Sequence, residues 1–202
     1  MREATTRYVI LGALEMEGPL SGYEIRTWIS QSVGYFWTES FGQLYPELKR
    51  LAAEKLISPL PEKQAHARAR QRYEISPSGR RLLAAWVEQP ARPQPVRAEF
   101  LLKLLFSRQS GLVVTRRHLE AIAEAERGKG AAFAGARAAL LDEGPDSPDL
   151  VYALVVLRYG QHISAMRRAW VEESLQLLAA HEAGGPAAVL NAFHELVEEE
   201  PR

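Results

Sequence analysis

The chain has 202 residues, 47% hydrophobic and 25% charged, with 25 Lys/Arg balancing 25 Asp/Glu for a formal net charge of zero. That is ordinary for one sizeable globular domain or two small ones, and overall charge gives no reason to invoke nucleic acid. There is no cysteine, which excludes disulfides, thiol chemistry and cysteine-based zinc or iron–sulfur sites. The N-terminal stretch mixes charge into a short apolar run and reads as an amphipathic helix, not a signal peptide. The longest strongly apolar run, Leu150–Leu157, is far short of a bilayer span. A cytoplasmic protein that enters no membrane is therefore expected.

In chain order, the first helix is predicted over Thr5–Glu17, burying Val9, Ile10, Ala13 and Leu14 at helical spacing. Gly18-Pro19 ends it, because proline cannot continue a helix. Ser21 followed by Glu24 forms a capping-box pattern opening a second helix from Gly22 to about Val33. Ile25, Trp28 and Ile29 turn inward there, and Tyr23 and Arg26 outward.

After the break at Gly34 come the aromatics Tyr35, Phe36 and Trp37, then Thr38 and Ser40, small hydroxyl residues suited to helix caps. Leu44, Leu48 and Leu51, with Leu56 closing the segment, give one apolar helical face. At roughly 100° per residue from Leu44, Gln43, Lys49 and Arg50 fall on the far side. One face can bury while the other shows an amide and two cations, which is what a helix lying in a DNA major groove requires. The same pattern also describes any solvated amphipathic helix, so its neighbours must decide.

Those neighbours change the period. Ile57–Pro61 and Arg70–Ile75 read as short strands, with Tyr73 and Ile75 on one face and Arg70 and Arg72 at the opposite parity. Lys63–Arg81 holds six cations (Lys63, Arg68, Arg70, Arg72, Arg80, Arg81) against one acid, Glu74. A basic hairpin placed directly after a helix–turn–helix is a wing. Ser76-Pro77 then opens a further helix, serine at the N-cap and proline at the first turn, predicted to bury Leu82, Leu83, Trp86 and Val87. Arg80 and Arg81 are either part of the basic surface or a solvated helix start.

The proline-spaced segment Pro90–Pro95 reads as a linker. It separates an expected winged helix–turn–helix DNA-binding domain, 1–90, from an all-helical domain, 91–202. Helices are predicted over Arg97–Ser107, Leu112 to about Leu141 and Leu150 to about His181, with a short one after the Gly184-Gly185-Pro186 break. The fold class is thus mainly α with a small β-hairpin wing. Two helices of roughly thirty residues form a rod of roughly 45 Å with little interior of its own. Its apolar stripes call for a partner, and a homodimer held by these coiled arms would set two reading helices about one DNA turn apart.

The blocks YVILGAL (8–14), GPLSGYEI (18–25), FWTESFGQLYPELKRL (36–51) and RYEISPSGRRLL (72–83), with their spacing, resemble the PadR family of bacterial transcriptional regulators. RAEFLLKLLF (97–106) and the helical remainder are similar to the long C-terminal domain of one branch of that family. The resemblance implies a homodimeric repressor of an inverted-repeat operator in double-stranded DNA, often released by a small effector, which for some members is a phenolic acid and for others a drug or stress signal. Carried over position by position, it makes Tyr23, Ser40, Gln43, Tyr45 and Lys49 the DNA-contacting residues, with Arg70 and Arg72 from the wing. Lys49 and Arg72 would neutralise phosphate, Tyr23 and Ser40 would hydrogen-bond phosphate oxygens, and Gln43 with Tyr45 would approach bases or sugars. Tyr45 could equally flank the core, and Ser40 could serve only as a cap. Pro46 is unusual inside a reading helix because it removes a backbone hydrogen bond; the family carries proline there as well.

Enzyme motifs are absent. His181-Glu182 and His194-Glu195 begin a zinc-protease pattern, but Gly185 and Glu198 stand where the second histidine must be. Gly128-Lys129-Gly130 lacks the rest of a phosphate loop, and Ser21-Gly22 and Ser110-Gly111 lack nucleophile-elbow flanks. No catalytic residue, metal or cofactor is expected. Phe36, Trp37, Phe100 and Trp170 are candidate linings of an effector pocket, or plain core. The competing reading is an oligomerising interaction module whose winged helix binds protein without specific DNA recognition; the basic, amide-bearing face favours DNA.

Overall fold

Two units make up the chain, Met1–Gln94 and Pro95–Arg202, in a computed structural model that describes residues 5–34, 36–37, 41–61, 71–91, 98–142 and 144–198. In the first unit, helix α1 (Thr6–Glu17) is the post around which the rest closes. Its Ile10, Leu11, Ala13 and Leu14 are fully buried. Strand β1 (Leu20–Ser21) follows the Gly18-Pro19 turn, and α2 (Gly22–Trp28) continues as a π-helical turn through Ile29–Val33. The capping box forms: Ser21 Oγ accepts the Glu24 amide at 3.3 Å, and Glu24 Oε2 accepts the Ser21 amide at 2.7 Å.

Helix α3 (Phe41–Ala53) lays Leu44, Leu48 and Leu51 into a core shared with Ile25, Ile29, Ile57 and Ile75. It stops short of the expected Leu56 because Lys55 takes a left-handed conformation (φ 60°), and the Leu56 amide turns back to the Leu51 carbonyl. Strands β2 (Ile57–Pro59) and β3 (Arg72–Ile75) then pair antiparallel, with Ile57 opposite Ile75 and Pro59 opposite Tyr73. The hairpin is not alone: β1 pairs with the other edge of β3, Leu20 opposite Tyr73 and Ser21 opposite Arg72, giving the order β1-β3-β2.

Helix α4 (Pro77–Val87) starts at Ser76, whose hydroxyl accepts the Gly79 amide at 3.1 Å and donates to the Lys55 carbonyl at 2.8 Å. Gly79 is obligatory there, since a Cβ would stand 2.2 Å from the Leu56 carbonyl oxygen. Leu82 and Leu83 pack against the core, but Val87 is 67% exposed and Trp86 is partly exposed, against expectation. Trp86 instead stacks flat on Tyr8 of α1, ring centroids 4.5 Å apart, and Val87 lies one position beyond that contact.

The second unit is wholly helical among the described residues. Helix α5 (Glu99–Phe106) runs into a 3₁₀ turn, Ser107–Gln109, whose Ser107 hydroxyl lies 2.7 Å from that of Thr115. Helices α6 (Leu112–Asp142) and α7 (Leu150–Glu198) form an antiparallel hairpin, since Arg116 pairs with Glu182 and Arg167 with Glu126. Gly184 and Gly185 interrupt α7 with non-helical backbone, Gly185 at φ 68°, where the Gly-Gly-Pro break was expected. Leu119, Phe133, Leu157 and Val171 are buried in this unit. No described helix is long and apolar enough to cross a membrane.

Candidate nucleic-acid interface

The seating of α3 fixes which side chains it shows. Burying Leu44, Leu48 and Leu51, each at most 2% exposed, is worth roughly 1.5–3 kcal/mol per side chain. That anchoring leaves Gly42, Gln43, Tyr45, Pro46, Lys49 and Arg50 exposed. The cations on this face differ in their commitments. Arg50 Nη1 lies 3.2 Å from Oε2 of the buried Glu47, whose other oxygen is 3.6 Å from Arg7 Nε. Lys49 has no ion pair among the described residues.

Tyr45 flanks the core and still reaches solvent. Its ring covers Gly22, where a Cβ would approach Tyr45 Cε1 to 2.7 Å and Leu48 Cδ1 to 3.1 Å, yet the residue remains 54% exposed. Gly22 therefore sets the close crossing of α2 over α3, a role the sequence reading missed. Tyr23, the next residue, is also half exposed. Tyr23, Tyr45, Gln43 and Lys49 all reach the surface of the first unit.

Arg72 is engaged within the first unit as well as exposed. Its Nε lies 3.4 Å from Glu24 Oε2, and its Nη2 donates to the Pro19 carbonyl. The guanidinium thus ties β3 to the start of α2, although about half of the side chain stays in solvent. Ser40 and Arg70 lie outside the described residues, as do Tyr35, Thr38, Glu39, Lys63, Arg68 and the segment 92–97. Arg80 pairs with Glu15 at 2.7 Å, which makes it part of the α1–α4 surface.

Of the four aromatics considered for an effector, Phe100 and Trp170 meet edge-to-face in the second unit, centroids 5.6 Å apart. Phe36, in the first unit, is half exposed. Trp37 is partly buried, and its indole N–H has no hydrogen-bond partner among the described residues.

The strongest electrostatic feature was not foreseen. Glu126, 1% exposed, lies in the α6–α7 hairpin with Oε1 2.8 Å from Lys129 Nζ and 3.2 Å from Arg167 Nη1. Burial pushes its carboxyl up, but hydrogen bonds from Lys129, Ser164 and Arg167 outweigh that and hold it below the ordinary carboxylate value. No group of three or more His, Asp or Glu placed to hold a metal occurs among the described residues.

Comparison with known proteins agrees with this geometry. The profile of the transcriptional regulator PadR-like family matches residues 10–85, and that of the virulence activator alpha C-terminal domain matches residues 96–179. The negative transcriptional regulator PadR of Bacillus subtilis is 37% identical over 102 residues, 50% of this chain and 55% of that protein. The sequence match thus spans about half the length of this curated relative. The crystal structure of Bacillus subtilis PadR in complex with operator DNA matches at TM-score 0.74 and 26% identity, covering 88% of this chain and 99% of that one. The same protein with p-coumaric acid matches at TM-score 0.65 and 27% identity, over 87% and 99%. The virulence activator AphA of Vibrio cholerae matches at 0.62 and 28%, over 88% and 98%.

Proposed function

The chain belongs to the PadR-like family of transcriptional regulators, and from that premise we propose that it is a cytoplasmic, homodimeric repressor of an inverted-repeat operator. The observation that carries the reading is the outward face of α3. Gln43, Tyr45 and Lys49 stand exposed on a helix whose opposite face is locked into the core. Such a helix presents an amide to base edges and an uncommitted ammonium to phosphate. Tyr23 at the start of α2 adds a phenol for phosphate or sugar, and Ser40 and Arg70 complete the proposed contact set. Arg72 contributes by fixing β3 against α2 and, through its solvent-exposed part, positive charge.

The boundary between a DNA-binding part, 1–90, and a dimerising part, 91–202, is part of the proposal. Long helices with apolar residues on their surface support it, because a lone hairpin leaves that surface in water. Release by a small aromatic acid is supported by the relative solved with p-coumaric acid. The side chains proposed to respond are Phe100 and Trp170 in the second unit and Phe36 and Trp37 in the first.

A gel shift against the region upstream of the chain's own gene, at two salt concentrations, tests the function. A sequence-specific complex that weakens steeply with salt is expected, because phosphate contacts release counterions. No specific shift would favour the interaction-module reading. Titrating p-coumaric acid while following tryptophan emission and operator affinity together tests the effector; a coupled change supports it, and no change in either removes this ligand.

A further inference from the structure

Helix α3 carries a backbone feature that side-chain inventories overlook. With Leu44 inward, Gly42 and Pro46 fall at roughly 160° and 200° around the helix, on its outward face. Both are exposed, and Pro46 lies inside the helix, not at its first residue. A residue at 46 would normally donate its N–H to the carbonyl four residues back, that of Gly42. Proline has no N–H, and its ring crowds that same carbonyl. Gly42 has no Cβ to hold a partner surface off. The Gly42 carbonyl thereby lacks its usual α-helical donor, on the face that also carries Gln43 and Lys49.

Resting on the DNA-binding function proposed above, we infer that the Gly42 carbonyl is a base-reading acceptor that selects an amino base, cytosine or adenine, at one position of each half-site. In the major groove, cytosine N4 and adenine N6 offer donors, whereas guanine O6 and thymine O4 offer acceptors that would face the carbonyl unfavourably. The amide of Gln43 can turn to donate or accept and so tolerates either class. A backbone carbonyl has no such freedom and acts as a one-way filter. Pro46 is the positioning residue: it creates the acceptor without touching the base.

Selection from a random-sequence duplex library, run on the full chain and on Pro46→Ala, tests this. Alanine restores the amide at 46 and recloses the helical bond to Gly42, so the variant should keep its helical signal and melt no lower than the parent. The parent should show one position per half-site restricted to adenine or cytosine, and the variant should lose that restriction alone. Replacing the preferred base by its amine-free analogue, purine for adenine or 2-pyrimidinone for cytosine, should weaken the parent about fivefold or more and leave the variant unchanged. Identical base profiles, equal losses with the analogue, or a variant that loses selectivity at every position would overturn the inference while leaving DNA binding intact. A parent that selects no sequence would overturn the function itself.

Discussion

In the first unit the elements share one core: α1, α2, α3, β2 and β3 each bury at least one aliphatic side chain that is almost fully enclosed, and β1 and α4 pack Leu20, Leu82 and Leu83 against it. In the second, two long helices meet along a seam of Leu119, Phe133, Leu157 and Val171, while Leu105 and Val113 stand 71% and 81% exposed. Tyr152, Val155 and Tyr159 are exposed as well, and at spacings of three and four they form a stripe along α7. The difference follows from geometry. Short helices crossing at angles enclose a volume, whereas a two-helix hairpin has only one interior line and leaves its other apolar positions to a partner. The first unit is built to hold a helix rigidly, and the second leaves an apolar surface that the proposed dimer would cover.

The largest effect should come from breaking the first unit's core. Leu48→Ala removes a fully buried side chain and should cost about 2–5 kcal/mol. Thermal melts followed by circular dichroism should show an early loss of the sheet-bearing unit while the α6–α7 hairpin stays helical; one transition lowered as a whole would break the comparison. Next, the pair Tyr152→Glu and Val155→Glu should split the dimer and weaken operator binding about a hundredfold, because linked half-sites lose their effective concentration. Sedimentation should then give a monomer, and an unchanged dimer mass would rule out this stripe as the interface.

Glu126→Gln should cost the second unit about 1–2 kcal/mol at neutral pH. That is less than a fully enclosed pair would lose, since Lys129 and Arg167 reach solvent and can turn outward. Its pH dependence has a definite sign. The folded carboxyl titrates below its ordinary value of 4.5, so its contribution is complete above that value and disappears as pH falls through the lowered one. Acid melts of the parent should therefore be steeper than those of the variant. The smallest effect belongs to Arg72→Ala, whose partly exposed pair with Glu24 is worth no more than about 1 kcal/mol. A loss of several kcal/mol in equilibrium unfolding would show the β3–α2 tie to be a structural keystone instead.

Much of this was legible from residue order. The Leu44, Leu48, Leu51 spacing gave both faces of α3, and Ser21 with Glu24 and Ser76 with Pro77 marked helix starts that form as read. These are local signals, written within about two turns. What escaped was set by partners far along the chain. Strand β1 is two residues long and exists because β3 lies beside it fifty residues later. Arg72 looked like a free wing cation because Glu24 and Pro19 are distant in sequence. Nothing in the Ala-rich sequence around Glu126 marks it as interior; its partner Arg167 stands 41 residues on. Trp86 and Val87 fit the apolar spacing of α4, but the core beneath is already filled by Leu82 and Leu83.

The central claim is that the exposed face of α3 holds the phosphates and reads the bases of a double-stranded operator, and Lys49 is the residue on which it can be weighed most directly. Operator affinity measured across a salt series, for the parent and for Lys49→Gln, gives the slope of log K against log salt. The account predicts a steep slope that shrinks by about one for each Lys49 removed from the complex, with affinity falling at every salt concentration. A slope and affinity that do not change on removing Lys49 would contradict it.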